Sequence, residues 1–292
     1  MVYERNQTAL LWHHRKCHSK AWHLSRRFCL IPWDRPLNSF RKISREDGVY
    51  PDILEASLNR LTDHGMDIMD ALKIDNERDF YYHATNESFS FPVDVHMNDG
   101  KENDFGNGFY LGESLRQSST WGKLGTSTRI YRFAKSRFAG LSFFDFNDGK
   151  TLDWLNYIAI NRKKINPSEY PPLIEKHMKK VEGFDVIRGK IADSFSFHIL
   201  EKLFVDLLDV DQAEYCTVIM ALGNQLCLKN QEFASKLEAD ELIIYDSSLS
   251  DYFLNHSKKI QEKQDANVDK ILSDIPDKSR LWSRLLKEKY DR

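Results

Sequence analysis

The sequence predicts an α+β fold, and three observations carry the prediction. Some short stretches alternate with period two, as at residues 80–85. Others repeat apolar residues at helical spacing, as Leu152, Leu155, Ile158 and Ala159 do. The two kinds interleave without the regular strand–helix alternation of a doubly wound sheet. With 292 residues, 41% of them hydrophobic and 12% aromatic, the chain can fill a core, which excludes wholesale disorder. No run approaches the roughly 18 uninterrupted apolar residues of a bilayer span, and the mean hydropathy is −0.56.

Charge divides the chain unevenly. Between Met1 and Asp47 stand Arg5, Arg15, Lys16, Lys20, Arg26, Arg27, Arg35, Arg41, Lys42 and Arg45, against Glu4, Asp34, Glu46 and Asp47. The formal charge of the whole is −2, so the remainder is acidic. Trp12, Trp22 and Trp33 sit among these charges with His13, His14, His18 and His23, a mixture suited to phosphate attraction and base stacking. The plainer alternative is a helical appendage whose tryptophans pack on the main domain. His13, Cys17, His18, His23 and Cys29 are metal-ligand types, but no C-x-x-C pair or zinc spacing accompanies them, so no metal is assigned. The first 30 residues lack the apolar stretch of a secretory signal, and Cys17, Cys29, Cys216 and Cys227 are too scattered for a disulfide framework. Both points favour the cytoplasm, and no membrane partner is expected.

Past the arm, Leu54, Leu58, Leu61, Met66, Ile68, Met69 and Leu72 recur at near-helical spacing, broken at Asp63-His64-Gly65. Phe80 to Thr85 reads as a strand, and Phe89 to Val95 as an extended piece that Pro92 places at an edge. Residues 114–123 read as a helix, 128–133 and 141–146 as strands, and 152–162 as a helix. There follow a strand at 184–191, helices at 197–208 and 213–222, a short strand at 225–228, a helix at 233–237 and a strand at 242–245. Beyond Ser248 the chain is charged and helical. Asp277 is placed to cap a last helix whose Leu281, Trp282, Leu285 and Leu286 form a narrow stripe that either packs on the body or docks a partner.

The most informative stretch is Asp104-Phe105-Gly106-Asn107-Gly108-Phe109-Tyr110-Leu111. Two glycines around one residue permit a tight backbone path close to a ligand, and the following aromatic pair offers flat surfaces. Alone, it is a turn between strands. A kinase reading of Asp-Phe-Gly fails, because no glycine-rich loop, strand lysine or H-R-D segment precedes it. Neither G-x-x-x-x-G-K nor G-x-G-x-x-G is present.

Upstream stands Tyr82-His83-Ala84-Thr85, and downstream stand Trp154 to Asn161-Arg162, Gly189-Lys190-Ile191-Ala192-Asp193 and Asn224-Gln225-Leu226. In this order the five segments resemble a bacterial family of ADP-ribosyltransferase-like domains. That family carries Y-H-G-[ST], D-F-G-x-G-F-Y, W-x-x-x-x-x-x-N-R, G-x-x-A-[ND] and a late strand opening with Gln. The resemblance implies a split two-sheet core at residues 76–247, between a basic helical N-terminal region at 1–75 and a helical C-terminal extension at 248–292.

It also implies NAD as cofactor and substrate. By analogy with the diphtheria-toxin-like His-Tyr-Glu branch, His83 holds the adenosine ribose, Thr85 supports the adjoining strand end and Tyr110 stacks on nicotinamide, while Phe109 faces the core. Ala84, Asp104, Phe105, Gly106 and Gly108 belong to the cofactor-binding segments, and Arg162 is expected to hold the pyrophosphate. Breaking the nicotinamide–ribose bond develops an oxocarbenium ion, so negative charge or oxygen dipoles are needed near C1′. Two departures stand out: Ala84 replaces the family's glycine, and Gln225 stands where the branch has its glutamate. The charge is then sought at Asp193, Asp104 or Glu113, with Asp193 preferred by the family pattern, although it equally suits the N-cap of the following helix.

The implied activity is NAD-dependent ADP-ribosyl transfer to a macromolecule, in a toxin–antitoxin or phage-defence setting with a neutralising partner. The basic arm favours RNA or DNA as acceptor slightly over protein. Two other readings stand beside it: a non-catalytic NAD or ADP-ribose binding module, suggested by Gln225, and an interaction scaffold built from the terminal arms.

Overall fold

Alternating side chains in short, β-branched and aromatic segments build the sheet of this computed structural model. It describes residues 39–43 and 77–290, except 88–90, 98, 148–150, 167, 193–195 and 221–222. The strands are β1 (Ser39–Ile43), β2 (Phe80–Thr85), β3 (Phe109–Gly112), β4 (Thr128–Ala134), β5 (Phe143–Asp145), β6 (Val186–Lys190), β7 (Asn224–Leu228) and β8 (Glu241–Tyr245). They form one sheet in the order β1-β8-β4-β2-β3-β7-β6-β5. The outermost pairs, β1 with β8 and β5 with β6, are parallel, and all pairs between them are antiparallel.

The ladder is not uniform. β2 pairs with β4 from Phe80↔Ala134 to Thr85↔Arg129, and β3 pairs with β7 from Phe109↔Leu228 to Gly112↔Gln225. Between β2 and β3 a single register pair joins the two halves, Tyr82↔Gly112.

Helices cover the sheet: α1 (Leu115–Ser118), α2 (Thr151–Asn161), α3 (Pro171–Val181), α4 (Ser196–Phe204), α5 (Val210–Met220), α6 (Gln231–Ala234), α7 (Ser247–Leu272) and α8 (Trp282–Tyr290). Their starts follow from local chemistry. Asn230 and Asp246 cap α6 and α7 by accepting from Phe233 N and Leu249 N, and α3 opens on Pro171-Pro172, which lack an N–H that the first turn would leave unpaired.

Three apolar clusters divide the interior. One face of the sheet carries a core shared by both halves, with Phe109, Leu111, Tyr131, Phe133, Val186, Leu226 and Leu228. Elsewhere there are two separate clusters. Tyr82, Leu115, Ile130, Ile243, Tyr245, Leu249 and Phe253 form one, and Phe105, Trp154, Tyr157, Ile158, Leu200, Leu203 and Trp282 belong to the other.

The α+β class agrees with the sequence expectation. Residues 1–75 were expected to be helical, and over Ser39–Ile43 this is corrected: those residues form a strand whose backbone pairs with β8. The helix expected near 53–71 and the Cys/His cluster lie outside the described residues. Phe91 to Val95 is a run of bends and turns instead of a strand. Val93 and Val95 are buried, and the backbone N of Val95 and O of Val93 bond the Gln231 side chain instead of a strand. The expected helix at 114–123 is α1 followed by a 3-10 turn at Ser119–Trp121. α3 was not anticipated. The stripe at 281–286 packs on the body: Trp282 is buried, its ring lies 5.0 Å from that of Phe204, and its Nε1 donates to Asn156 Oδ1 at 2.9 Å. Among the described residues no helix is long and apolar enough to cross a membrane.

Candidate active site

Where the ladder between β2 and β3 opens, a side chain takes over from the backbone. His83 Nδ1 lies 2.9 Å from the Tyr110 carbonyl. A carbonyl only accepts, so Nδ1 carries the hydrogen and, in the neutral ring, Nε2 carries the lone pair. The imidazole lies over Phe109, with centroids 4.6 Å apart. Burial lowers the His83 pKa below the ordinary 6.5, against the opposing effect of the Tyr110 carbonyl, so the ring is neutral at pH 7. At the last shared pair, a Cβ on Gly112 would stand 2.6 Å from Ser118 Oγ, which keeps α1 tight against the sheet.

Beside this gap lies a small cleft of about 80 Å³, open to solvent and lined by Tyr82, His83, Ala84, Tyr110, Leu111, Gly112, Gln117, Ser118, Trp121 and Gln225. Trp121 is 51% exposed and offers an indole face. Gln117 Oε1 is buried and, among the described residues, has no hydrogen-bond partner.

Behind Gln225 sits a charged node. Asp104 is buried, and its Oδ1 accepts from Arg162 Nε at 2.9 Å and Nη2 at 2.6 Å. Its Oδ2 accepts from Ala192 N at 2.9 Å and Gln225 Nε2 at 2.5 Å. Arg162 also donates to Ala192 O at 2.8 Å. Burial raises the Asp104 pKa and Arg162 opposes it, while each of these neighbours is a donor, matching a carboxylate.

The Asp104–Gly108 loop is tied down from several sides. Tyr110 OH donates to Gly106 O at 2.7 Å and accepts from Phe105 N at 3.0 Å, and Lys229 Nζ donates to the carbonyls of Phe105 and Asn107. Gly106 and Gly108 have φ of +70° and +156°. A Cβ would meet Asn161 Oδ1 at 2.7 Å in the first case and Cys227 Sγ at 2.2 Å in the second. Glycine is required at both.

The structure therefore brings His83, Ala84, Tyr110 and Gln225 together on one cleft. Asp104 and Arg162 form the node behind it, not its lining. Phe105, wholly buried against Tyr110, Phe146 and Tyr157, belongs with Gly106 and Gly108 to the supporting loop. Phe109 faces the core, as expected. Thr85 is off the cleft lining, its Oγ1 accepting from Glu87 N. Glu113 is bound to Arg188 and Asn224; burial raises its pKa, but those partners hold it below the usual value. Asp193 lies outside the described residues. Gln117, Ser118 and Trp121 were missed by sequence reasoning. Their signal was position: they sit on the turn of helix directly after the glycine-bracketed strand. Among the described residues no group of three or more His, Cys, Asp or Glu is placed to hold a metal.

Searches of the curated proteins and of the solved structures find no match to this chain. One family model matches, over residues 80–239, a stretch that begins at β2 and runs to the residues just before β8. That span holds the cleft and its supporting loop and covers more than half of the chain, which therefore belongs to the family described as "Protein of unknown function (DUF3990)".

Proposed function

We propose that the chain splits NAD at the nicotinamide–ribose bond and transfers ADP-ribose to a macromolecule. One observation carries this reading. The sheet narrows to a single shared pair and opens beside it into a cleft whose walls bear His83, Tyr110 and Gln225, on three different strands. The resemblance expects its signature residues on three strands of a split core.

The chemistry suits those groups. His83, held by the Tyr110 carbonyl in the tautomer with the lone pair on Nε2, supplies an acceptor for a ribose hydroxyl. Tyr110 has its hydroxyl pinned to the Asp104–Gly108 loop, so its ring is oriented in advance as a stacking surface for the cationic nicotinamide. The C1′–N bond breaks with its electron pair leaving on nicotinamide. The acceptor's nucleophile then bonds C1′ and releases its proton to solvent. For the acceptor we favour a nucleic acid over a protein because of the basic, tryptophan-bearing segment before Asp47. A cytoplasmic site of action and a neutralising partner belong to the same reading.

The test is nicotinamide release from NAD by the full chain. Release that falls at least about 100-fold in His83→Ala, with the far-UV spectrum unchanged, supports the enzyme. A second reading has its own observation: none of the described residues lining the cleft carries a carboxylate. A binding module predicts saturable NAD or ADP-ribose binding with no nicotinamide released. Absence of both binding and release overturns the two readings together.

A further inference from the structure

The side-chain amide of Gln225 is oriented by what lies behind it. Gln225 is buried on β7, opposite Gly112, at the edge of the cleft. Its Nε2 stands 2.5 Å from Asp104 Oδ2, and the same carboxylate takes Arg162 on Oδ1 and the Ala192 N–H on Oδ2. A carboxylate receiving these donors has no proton to give, so it can engage Gln225 only through the amide NH2. The amide is planar. Its carbonyl oxygen is therefore the end turned away from Asp104.

We propose that Asp104 is a positioning residue that fixes Gln225 with Oε1 as the hydroxyl acceptor of the cleft, doing jointly with it what a glutamate does in the diphtheria-like branch. The assignment rests on the NAD-splitting reading above. A hydrogen bond from an amide to a carboxylate polarises the amide and builds negative charge on its oxygen. Charge thus reaches a cleft whose described lining has no carboxylate, while Arg162 balances the buried anion. Asp104 itself does not touch the ligand.

The assignment makes an expectation opposite to simple analogy. Installing the apparently missing glutamate, Gln225→Glu, puts a second carboxylate beside Asp104 at the distance of the present hydrogen bond, where the pair shares a proton at acid pH and, once that is lost, two like charges repel. Nicotinamide release is measured for the wild type, Gln225→Glu and the double variant Asp104→Asn/Gln225→Glu between pH 5.5 and 8.5, with thermal unfolding as the check on folding.

At pH 7.5 Gln225→Glu is expected to lose at least about tenfold in kcat, the fold-change of one charge-assisted hydrogen bond. Its activity is expected to recover toward acid pH, where a shared proton restores the bond to Asp104, a limb the wild type lacks. The double variant, with amide and carboxylate exchanged, is expected to exceed Gln225→Glu at pH 7.5 by about fivefold or more. Gln225→Glu as fast as the wild type, or a double variant no faster than the single one, overturns the role of Asp104 and leaves NAD splitting standing. A wild type that releases no nicotinamide overturns both.

Discussion

Replacing Tyr110 by phenylalanine separates the two things this side chain does. The ring that faces the cleft stays, and the hydroxyl that braces the Asp104–Gly108 loop goes. Without it, the Phe105 N–H loses its acceptor at 3.0 Å and the Gly106 carbonyl loses its donor at 2.7 Å. Phe105 is fully buried, so its N–H has no water to turn to. An unsatisfied buried group costs about 1–3 kcal/mol, and the half-buried carbonyl belongs at the lower end of that range. Tyr110→Phe is therefore expected to lose about 2–4 kcal/mol in urea unfolding followed by fluorescence, with the slope of the transition unchanged. Once folded at low temperature, it should keep nicotinamide release within about threefold of wild type, because the stacking face remains. Tyr110→Ala should lose both stability and release. An unchanged urea midpoint in Tyr110→Phe would refute the bracing argument. A folded Tyr110→Phe without activity would show that the hydroxyl itself meets the substrate.

Two further expectations follow from the same geometry. Gly108→Ala drives a Cβ to 2.2 Å from Cys227 Sγ and 2.8 Å from Leu228 O at a φ of +156°, so backbone strain and overpacking together should cost roughly 2–6 kcal/mol. Gly125→Ala, at φ +76° with nothing within 4 Å of the new methyl, should cost about 1 kcal/mol, and equal urea midpoints for the two variants would contradict the fit. For pH, burial holds His83 below 6.5 in the folded chain while the unfolded chain takes its proton near that value. The site is thus neutral to stability above pH 6.5 and destabilises the fold as pH falls below it. The acid limb of kcat/KM should likewise lie below 6.5, where Nε2 gains a proton and ceases to accept, and a limb at or above 6.5 would be inconsistent with the buried ring.

Much of the central segment is legible because its patterns are local. β8 shows the alternation that a half-buried strand imposes, β2, β4 and β6 are short runs rich in aromatic and branched residues, and residues 152–162 repeat apolar residues at helical spacing in a helix buried from Trp154 to Ala159. Where other forces decide, the reading slips. Phe91 to Val95 has the apolar content of a strand, but its valines are buried on a bend and its backbone bonds a glutamine side chain from α6. α3 carries charged residues over much of its surface and opens on two prolines, and its buried face is a narrow line of Leu173, His177 and Val181, one of them a histidine that a search for apolar residues passes over. Ser39–Ile43 forms a parallel pair with β8, some 200 residues away, and no local signal announces a partner that distant.

By itself the sequence determined the α+β class, a glycine pair at 106 and 108 that permits a tight backbone path, and the chemical types available around His83, Tyr110 and Gln225. Those follow from periodicity and from backbone sterics, which act within a few residues of the chain. Only the tertiary structure decided which of them share a cleft, that Arg162 neutralises Asp104 instead of lining that cleft, and that Gln117 and Trp121 join the wall. Such choices depend on strand register and on which buried carboxylate finds its counter-ion, and both are settled by contacts between segments far apart in the chain.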